Sequence, residues 1–106
     1  MTDFGILPEK VTSPMDRWEM DQVIFNSANP ENDAASYSIA IGLWDSQRAL
    51  VMRWNGGKEK PKGNPVSRGY PTWFVIPPDF HRNIIEQLRL DAEVLRHVRD
   101  FLGLTD

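Results

Sequence analysis

Residues 36–55, SYSIAIGLWDSQRALVMRWN, decide the fold of this chain. In the first half of this stretch large apolar side chains alternate with small ones: Tyr37, Ile39, Ile41 and Leu43 alternate with Ser36, Ser38, Ala40 and Gly42. This period of two predicts a strand with a large apolar face and a small-residue face, which we expect to lie under another element or a ligand. A second strand is predicted at 49–55, and the short turn at 45–48 predicts an antiparallel hairpin.

The segment before the hairpin gives conflicting signals. Residues 1–12 have no periodicity and are interpreted as an N-terminal arm. Ser13, Pro14 and Asp16 are typical of a helix start, whereas Val23-Ile24-Phe25 is a short β-prone run. We expect a short helix leading into a strand near residues 22–26, and the choice between helix and strand for 14–26 stays open.

The segment after the hairpin predicts one more strand and then helices. Residues 72–76 are β-rich and end at Pro77-Pro78. Apolar side chains then recur at helical spacing in two stripes, Phe80, Ile84, Ile85 and Leu88, then Val94, Leu95, Val98, Phe101 and Leu102. Gly103 is suited to cap the second helix. The predicted fold class is α+β: a small antiparallel sheet of three to four strands, covered on one face by one or two C-terminal helices.

Length and composition predict one ordinary globular domain spanning residues 1–106. The sequence has no cysteine, which excludes disulfides, thiolate metal sites and cysteine nucleophiles. No secretory leader is recognisable, and no apolar run approaches the roughly 20 residues that span a bilayer. We therefore expect a cytoplasmic protein that does not enter membranes.

Charge is unevenly distributed along the chain. Residues 47–82 contain seven basic and two acidic residues, whereas residues 1–46 contain two basic and eight acidic ones. The formal net charge of −3 therefore hides a strongly basic middle third. Nearby charges act through less screening than distant ones, so such a segment favours an anionic partner even in an acidic protein.

The basic segment contains a long loop predicted at residues 56–71, with four glycines and three prolines. Loops of this length are usually functional or disordered. Lysines at alternate positions favour phosphate contact, and aromatic rings beside them favour base stacking. The candidate ligand-binding residues are Arg53, Trp54, Lys58, Lys60, Lys62, Arg68, Tyr70 and Trp73. The alternative interpretation is a solvated connection, with Trp54 and Trp73 facing a core.

Signatures of catalysis are weak. A serine nucleophile at Ser67 would need a nearby base, and no arrangement of the two histidines, His81 and His97, indicates one. Two histidines at this spacing are also too few and too far apart to predict a zinc site. The glycines of the loop do not follow a nucleotide-binding motif. We therefore predict no enzyme activity, no cofactor and no metal site.

The order of predicted elements resembles the family of single-stranded-DNA-binding transcriptional coactivators. The resemblance rests on a strand at 49–55, Lys62-Gly63 in a loop, a strand at 72–76 and a helix at 80–88. It covers less than half of the chain, and the two-helix tail and acidic N-terminal segment depart from the family pattern. The resemblance implies binding of single-stranded nucleic acid.

Two functional hypotheses follow. The first is a small non-enzymatic binding module whose basic loop contacts an anionic partner, either single-stranded nucleic acid or an acidic protein. The second is a protein-interaction or homodimeric structural module that uses a sheet edge or the C-terminal apolar stripe.

Overall fold

The computed structural model describes residues 5–27 and 36–104, which form a four-stranded antiparallel sheet, a small hairpin and two helices. The main sheet has the order β1-β2-β3-β6, and β4 pairs with β5. The elements are β1 (Trp18–Asn26), β2 (Tyr37–Trp44), β3 (Gln47–Trp54), β4 (Val66–Ser67), β5 (Tyr70–Pro71), β6 (Phe74–Ile76), α1 (His81–Leu88) and α2 (Ala92–Leu102). Short 3-10 turns occupy Pro8–Lys10 and Pro78–Phe80. The predicted α+β fold class is confirmed.

The hairpin of β2 and β3 is longer and tighter than the alternation predicted. Pairing runs without interruption from Tyr37↔Trp54 to Trp44↔Gln47. The turn therefore contains two residues, Asp45 and Ser46, both with positive φ. Two left-handed residues match the twist of the flanking strands, so the strands continue into positions that the sequence assigned to the turn.

The expected helix before β1 is wrong. Residues 14–17 form a turn closed by hydrogen bonds from the N–H groups of Arg17 and Trp18 to the carbonyl of Pro14, at 3.0 and 2.8 Å. β1 then begins at Trp18, which pairs with Trp44. The Trp18 side chain is buried against the sheet, and that burial outweighs the local helix signals of Ser13 and Pro14.

The helical side of the sheet holds the larger apolar core. Ile39 and Ile41 of β2 and Leu50 of β3 meet Ile85 of α1 and Val98 of α2. Asp91 separates the helices and caps α2 by accepting a hydrogen bond from the Val94 N–H at 3.0 Å. Gly103 ends α2 in a left-handed conformation, as the sequence predicted.

The opposite side of the sheet is covered as well. Trp18 and Trp73 pack over the small residues Ala40 and Ala49, with ring centroids 6.1 Å apart. A Cβ at Gly42 would lie 2.5 Å from the Trp18 ring, so the Trp18 indole packs directly on the small-residue face of β2.

The N-terminal arm closes this second layer. Val11 is buried, and its carbonyl accepts a hydrogen bond from the indole N–H of Trp73 at 2.8 Å. The Ile6 N–H donates to the carbonyl of Asn55 at 3.2 Å. The first four residues of the arm lie outside the described range. Trp44 packs beside Trp18, with ring centroids 5.9 Å apart, and belongs to the same layer.

In residues 5–27 and 36–104, none of the helices has the length and apolar character needed to span a membrane.

Candidate anion-binding loop

The segment predicted as a long loop is held by its own hydrogen bonds. Trp54 and Asn64 pair as an isolated antiparallel bridge, with N–H to carbonyl distances of 2.8 and 3.1 Å. The Lys60 carbonyl accepts from the N–H groups of Gly57 and Gly63 at 3.1 and 2.9 Å. Residues 66–71 then form the hairpin of β4 and β5. A lysine-rich stretch is thereby folded back against the end of β3.

Arg53 lies inside this loop, with only 2% of its surface exposed. Its Nη1 donates to the carbonyls of Thr72 and Pro65, at 2.5 and 3.4 Å, and its Nη2 donates to the carbonyl of Lys62. Burial lowers the pKa of Arg53 to about 10, so the guanidinium is still charged at neutral pH. Arg53 thus ties the second half of the loop, from Lys62 to Thr72, to β3.

Trp73 is also buried, as expected from the alternative interpretation in which it faces a core. Its ring packs on Trp18, and its N–H is satisfied by the arm. Arg53 and Trp73 therefore belong to the interior, while the other six candidate residues lie at the surface: Trp54, Lys58, Lys60, Lys62, Arg68 and Tyr70.

Part of this surface group surrounds a pocket of about 560 Å³. Its lining consists of Trp54, Gly56, Gly57, Lys58, Glu59, Lys60, Gly63 and Asn64. Trp54 is 47% exposed, and an edge contact with the Tyr37 ring, at a centroid distance of 5.9 Å and an interplanar angle of 74°, orients its indole. We call these residues the Trp54 pocket. It combines an oriented aromatic surface with two cations, opposed by the single carboxylate of Glu59.

The remaining surface candidates lie at the β4–β5 hairpin, away from the lining of the Trp54 pocket. Lys62 Nζ donates to the Gly69 carbonyl at 2.6 Å, which ties its ammonium group to the hairpin turn. Arg68 lies in that turn with φ of 52°, and Tyr70 is 64% exposed. The alternate lysines are therefore divided: Lys58 and Lys60 line the pocket, while Lys62 faces the hairpin.

Two structural supports of the pocket were not among the candidate residues. Asn55 is buried, accepts from Ser38 Oγ at 2.7 Å, and donates to Ser36 Oγ at 2.8 Å and Asn26 Oδ1 at 3.0 Å. Gly63 has φ of 65° and packs directly on the Trp54 carbonyl. In the sequence, Gly63 next to Asn64 signals a turn. The close approach of the Gly63 backbone to the Trp54 carbonyl is a tertiary contact, which no local sequence pattern reveals.

A second concave surface lies on the helical side of Trp54. It has a volume of about 360 Å³ and is mostly apolar, with Tyr37, Ile39, Met52, Trp54, Asn83, Ile84, Gln87 and Leu88 as its lining. Here α1 leaves the end of the sheet partly uncovered. We call this surface the α1 groove.

The histidines have structural contacts. His81 is buried, with Nε2 at 3.2 Å from the Ile76 carbonyl, and His97 Nε2 lies 2.6 Å from Asp21 Oδ2. Within the described ranges, no group of three or more histidine, aspartate or glutamate side chains is arranged to hold a metal ion.

Comparison with known proteins gives no significant match to a family model, to a curated protein or to a solved structure.

Proposed function

We propose that this protein is a non-enzymatic binding module that holds single-stranded nucleic acid at the Trp54 pocket. The observation that carries the proposal is the half-exposed, oriented Trp54 indole in a pocket that also contains Lys58 and Lys60. A base stacks on the indole, and the neighbouring phosphates lie against the two ammonium groups. A volume of about 560 Å³ is in the usual range for small-molecule sites and accommodates one nucleotide unit.

The proposed mode of binding is tolerant of sequence. Every base presents a π-face to the indole, and a lysine contacts a phosphate as a point charge. Arg68 and Tyr70, on the exposed β4–β5 hairpin, offer a further cation and ring along the strand. Arg53 contributes indirectly, because it holds the loop in the conformation that forms the pocket.

Removing the lysine charges of the loop is expected to reduce the salt-dependent part of the affinity. Replacing Lys58, Lys60 and Lys62 with glutamine removes up to three phosphate contacts. The slope of log K against log salt for single strands is expected to flatten by about 0.7 for each phosphate that is no longer neutralised. The measurement is a fluorescence titration with short single-stranded DNA at several salt concentrations. A matched variant with Lys10→Gln and Arg96→Gln, exposed cations outside the loop, is expected to keep the slope. Unchanged affinity in the triple variant would remove the loop as the site.

Removing the indole is expected to weaken binding at every salt concentration. Trp54→Leu keeps an apolar residue on β3 but removes the stacking surface, which is worth about 1–3 kcal/mol per base. The expected loss of affinity is roughly 5- to 150-fold, with little change in the salt slope. Fluorescence anisotropy of a labelled oligonucleotide measures both. A Trp54→Leu protein with wild-type affinity would show that the base does not stack here.

The α1 groove favours a second candidate function, a protein-interaction or homodimeric module. Apolar residues dominate its lining, and the neighbouring Phe74 is exposed on the edge strand β6. A groove of this kind suits an apolar side chain of a partner. Light scattering at high protein concentration tests the homodimer: a strictly monomeric species would count against it.

A further inference from the structure

Arg53 carries a buried charge whose partners in the described residues are all neutral. Its Nη atoms contact three backbone carbonyls, and no carboxylate in the described ranges pairs with it. Its Nε–H is shielded from water and has no acceptor among those residues. A buried charge without a counter-charge and a buried donor without an acceptor are both costly, and such groups call for an explanation.

Arg53 also lines a small pocket, which shares only Trp54 and Asn64 with the lining of the Trp54 pocket. It has a volume of about 230 Å³ and is lined by Met52, Arg53, Trp54, Asn64, Pro65 and Phe74. The pocket lies on the outer edge of β3, between the end of its pairing with β6 at Phe74 and the bridge to Asn64. Phe74 is 56% exposed and Trp54 is 47% exposed. Arg53 and two partly exposed aromatic residues therefore line one cavity.

We propose that this pocket binds a carboxylate carried on a small aromatic or apolar body, with the Nε–H of Arg53 as its donor. One charge and one unused N–H suit a monoanion, whereas a phosphate monoester has nearly twice the charge and three acceptor oxygens. The volume fits a fragment or a single side chain, since larger ligands use pockets of roughly 300–1,000 Å³. The body of the ligand lies against Phe74 and Trp54.

Binding requires a shift of the pocket side chains, because water does not reach Nε in this structure. Phe74 and Asn64 are exposed, and exposed side chains change rotamer on the picosecond to nanosecond scale. The carboxylate site does not use Lys58 or Lys60, so it does not depend on the proposed nucleic-acid function.

The direct test is a titration with phenylacetate, followed at the Arg53 Nε–H signal by proton–nitrogen correlation NMR. We expect a saturable shift of this signal. Phenylacetamide, the uncharged analogue of the same shape, is expected to leave it in place. No saturable shift with phenylacetate, or equal shifts with the acid and the amide, would overturn the proposal.

Variants locate the site without disturbing Arg53. Phe74→Ala is expected to weaken phenylacetate binding roughly three- to tenfold, the factor that corresponds to one aromatic contact. Phe80→Ala removes an equally exposed ring outside this pocket and is expected to have no effect. Equal affinity in the two variants would contradict the placement of the ligand. The glutamine variant of Lys58 and Lys60 is expected to bind phenylacetate normally, which separates this site from the Trp54 pocket.

A second probe distinguishes the sources of the carboxylate. A capped Phe-Glu dipeptide presents the same chemistry as part of a peptide, whereas phenylacetate represents a free aromatic acid. Tighter binding of the dipeptide would support a peptide side chain as the natural ligand, and tighter binding of phenylacetate would support a free acid. A shift of the Arg53 signal by neither probe overturns the site.

Discussion

Replacing Arg53 with methionine is expected to lower the free energy of unfolding by roughly 3–5 kcal/mol. Methionine fills part of the volume and avoids burying a charge, which by itself favours the variant. The carbonyls of Lys62 and Thr72, however, lose the donor that Arg53 supplies and stay in place, whereas the Pro65 carbonyl keeps its hydrogen bond from the Thr72 N–H at 3.0 Å. Each carbonyl left unsatisfied costs about 1–3 kcal/mol, and that cost outweighs the gain.

Urea denaturation followed by tryptophan fluorescence and circular dichroism measures this effect. Arg96→Met is the matched control, since Arg96 is an exposed arginine on α2, and it is expected to change stability by at most about 0.5 kcal/mol. Limited proteolysis is expected to cut the Arg53 variant within residues 56–71 before the rest of the chain. Equal stability of the two variants would show that the buried guanidinium does not hold the loop.

Replacing Gly63 with alanine is expected to cost roughly 2–5 kcal/mol of stability. The left-handed backbone alone costs an alanine about 1–2 kcal/mol. The added Cβ would also overlap the carbonyl of Trp54 and lie 2.6 Å from Nη2 of Arg53. Relieving that overlap moves Asn64 away from Trp54 and weakens two backbone hydrogen bonds, each worth about 0.5–1.5 kcal/mol.

Gly69→Ala provides a control within the same loop. Gly69 also has a positive φ, 84°, but the atom nearest to a Cβ added there would be Lys62 Nζ, 4.0 Å away. This variant is expected to show only the conformational cost, about 1–2 kcal/mol. Chemical denaturation measures the free energy of unfolding of both variants. The difference between the two losses of stability is the cost of the steric overlap at Gly63. The same destabilisation at both positions would mean that the contact of Gly63 with β3 does not support the fold.

The combination of exposed Trp54 and buried Arg53 follows from their adjacency on one strand. Successive side chains of a strand point to opposite faces, so neighbouring residues take opposite environments. Trp54 points to the helical side, where α1 leaves the end of the sheet partly open and forms the α1 groove. The Arg53 side chain points to the other side, where the carbonyls of Lys62, Pro65 and Thr72 surround its guanidinium. The exposed Trp54 side chain and the buried Arg53 guanidinium are thus parts of the same short segment.

The alternation in 36–55 and the helical stripes of 80–102 were sufficient to predict the α+β fold, because hydrophobic periodicity is a local property of the sequence. The strand at Trp18 was missed, because its helix-start signals are local and the burial that overrides them is not. The alternation of side chains along a strand puts Arg53 and Trp54 on opposite faces of β3, but it does not show how deeply each face is covered. The depth of cover depends on contacts with the arm, α1 and residues 62–72, which are distant in sequence. The tertiary structure alone therefore decided that Trp54 is a surface residue and that Arg53 and Trp73 are interior ones.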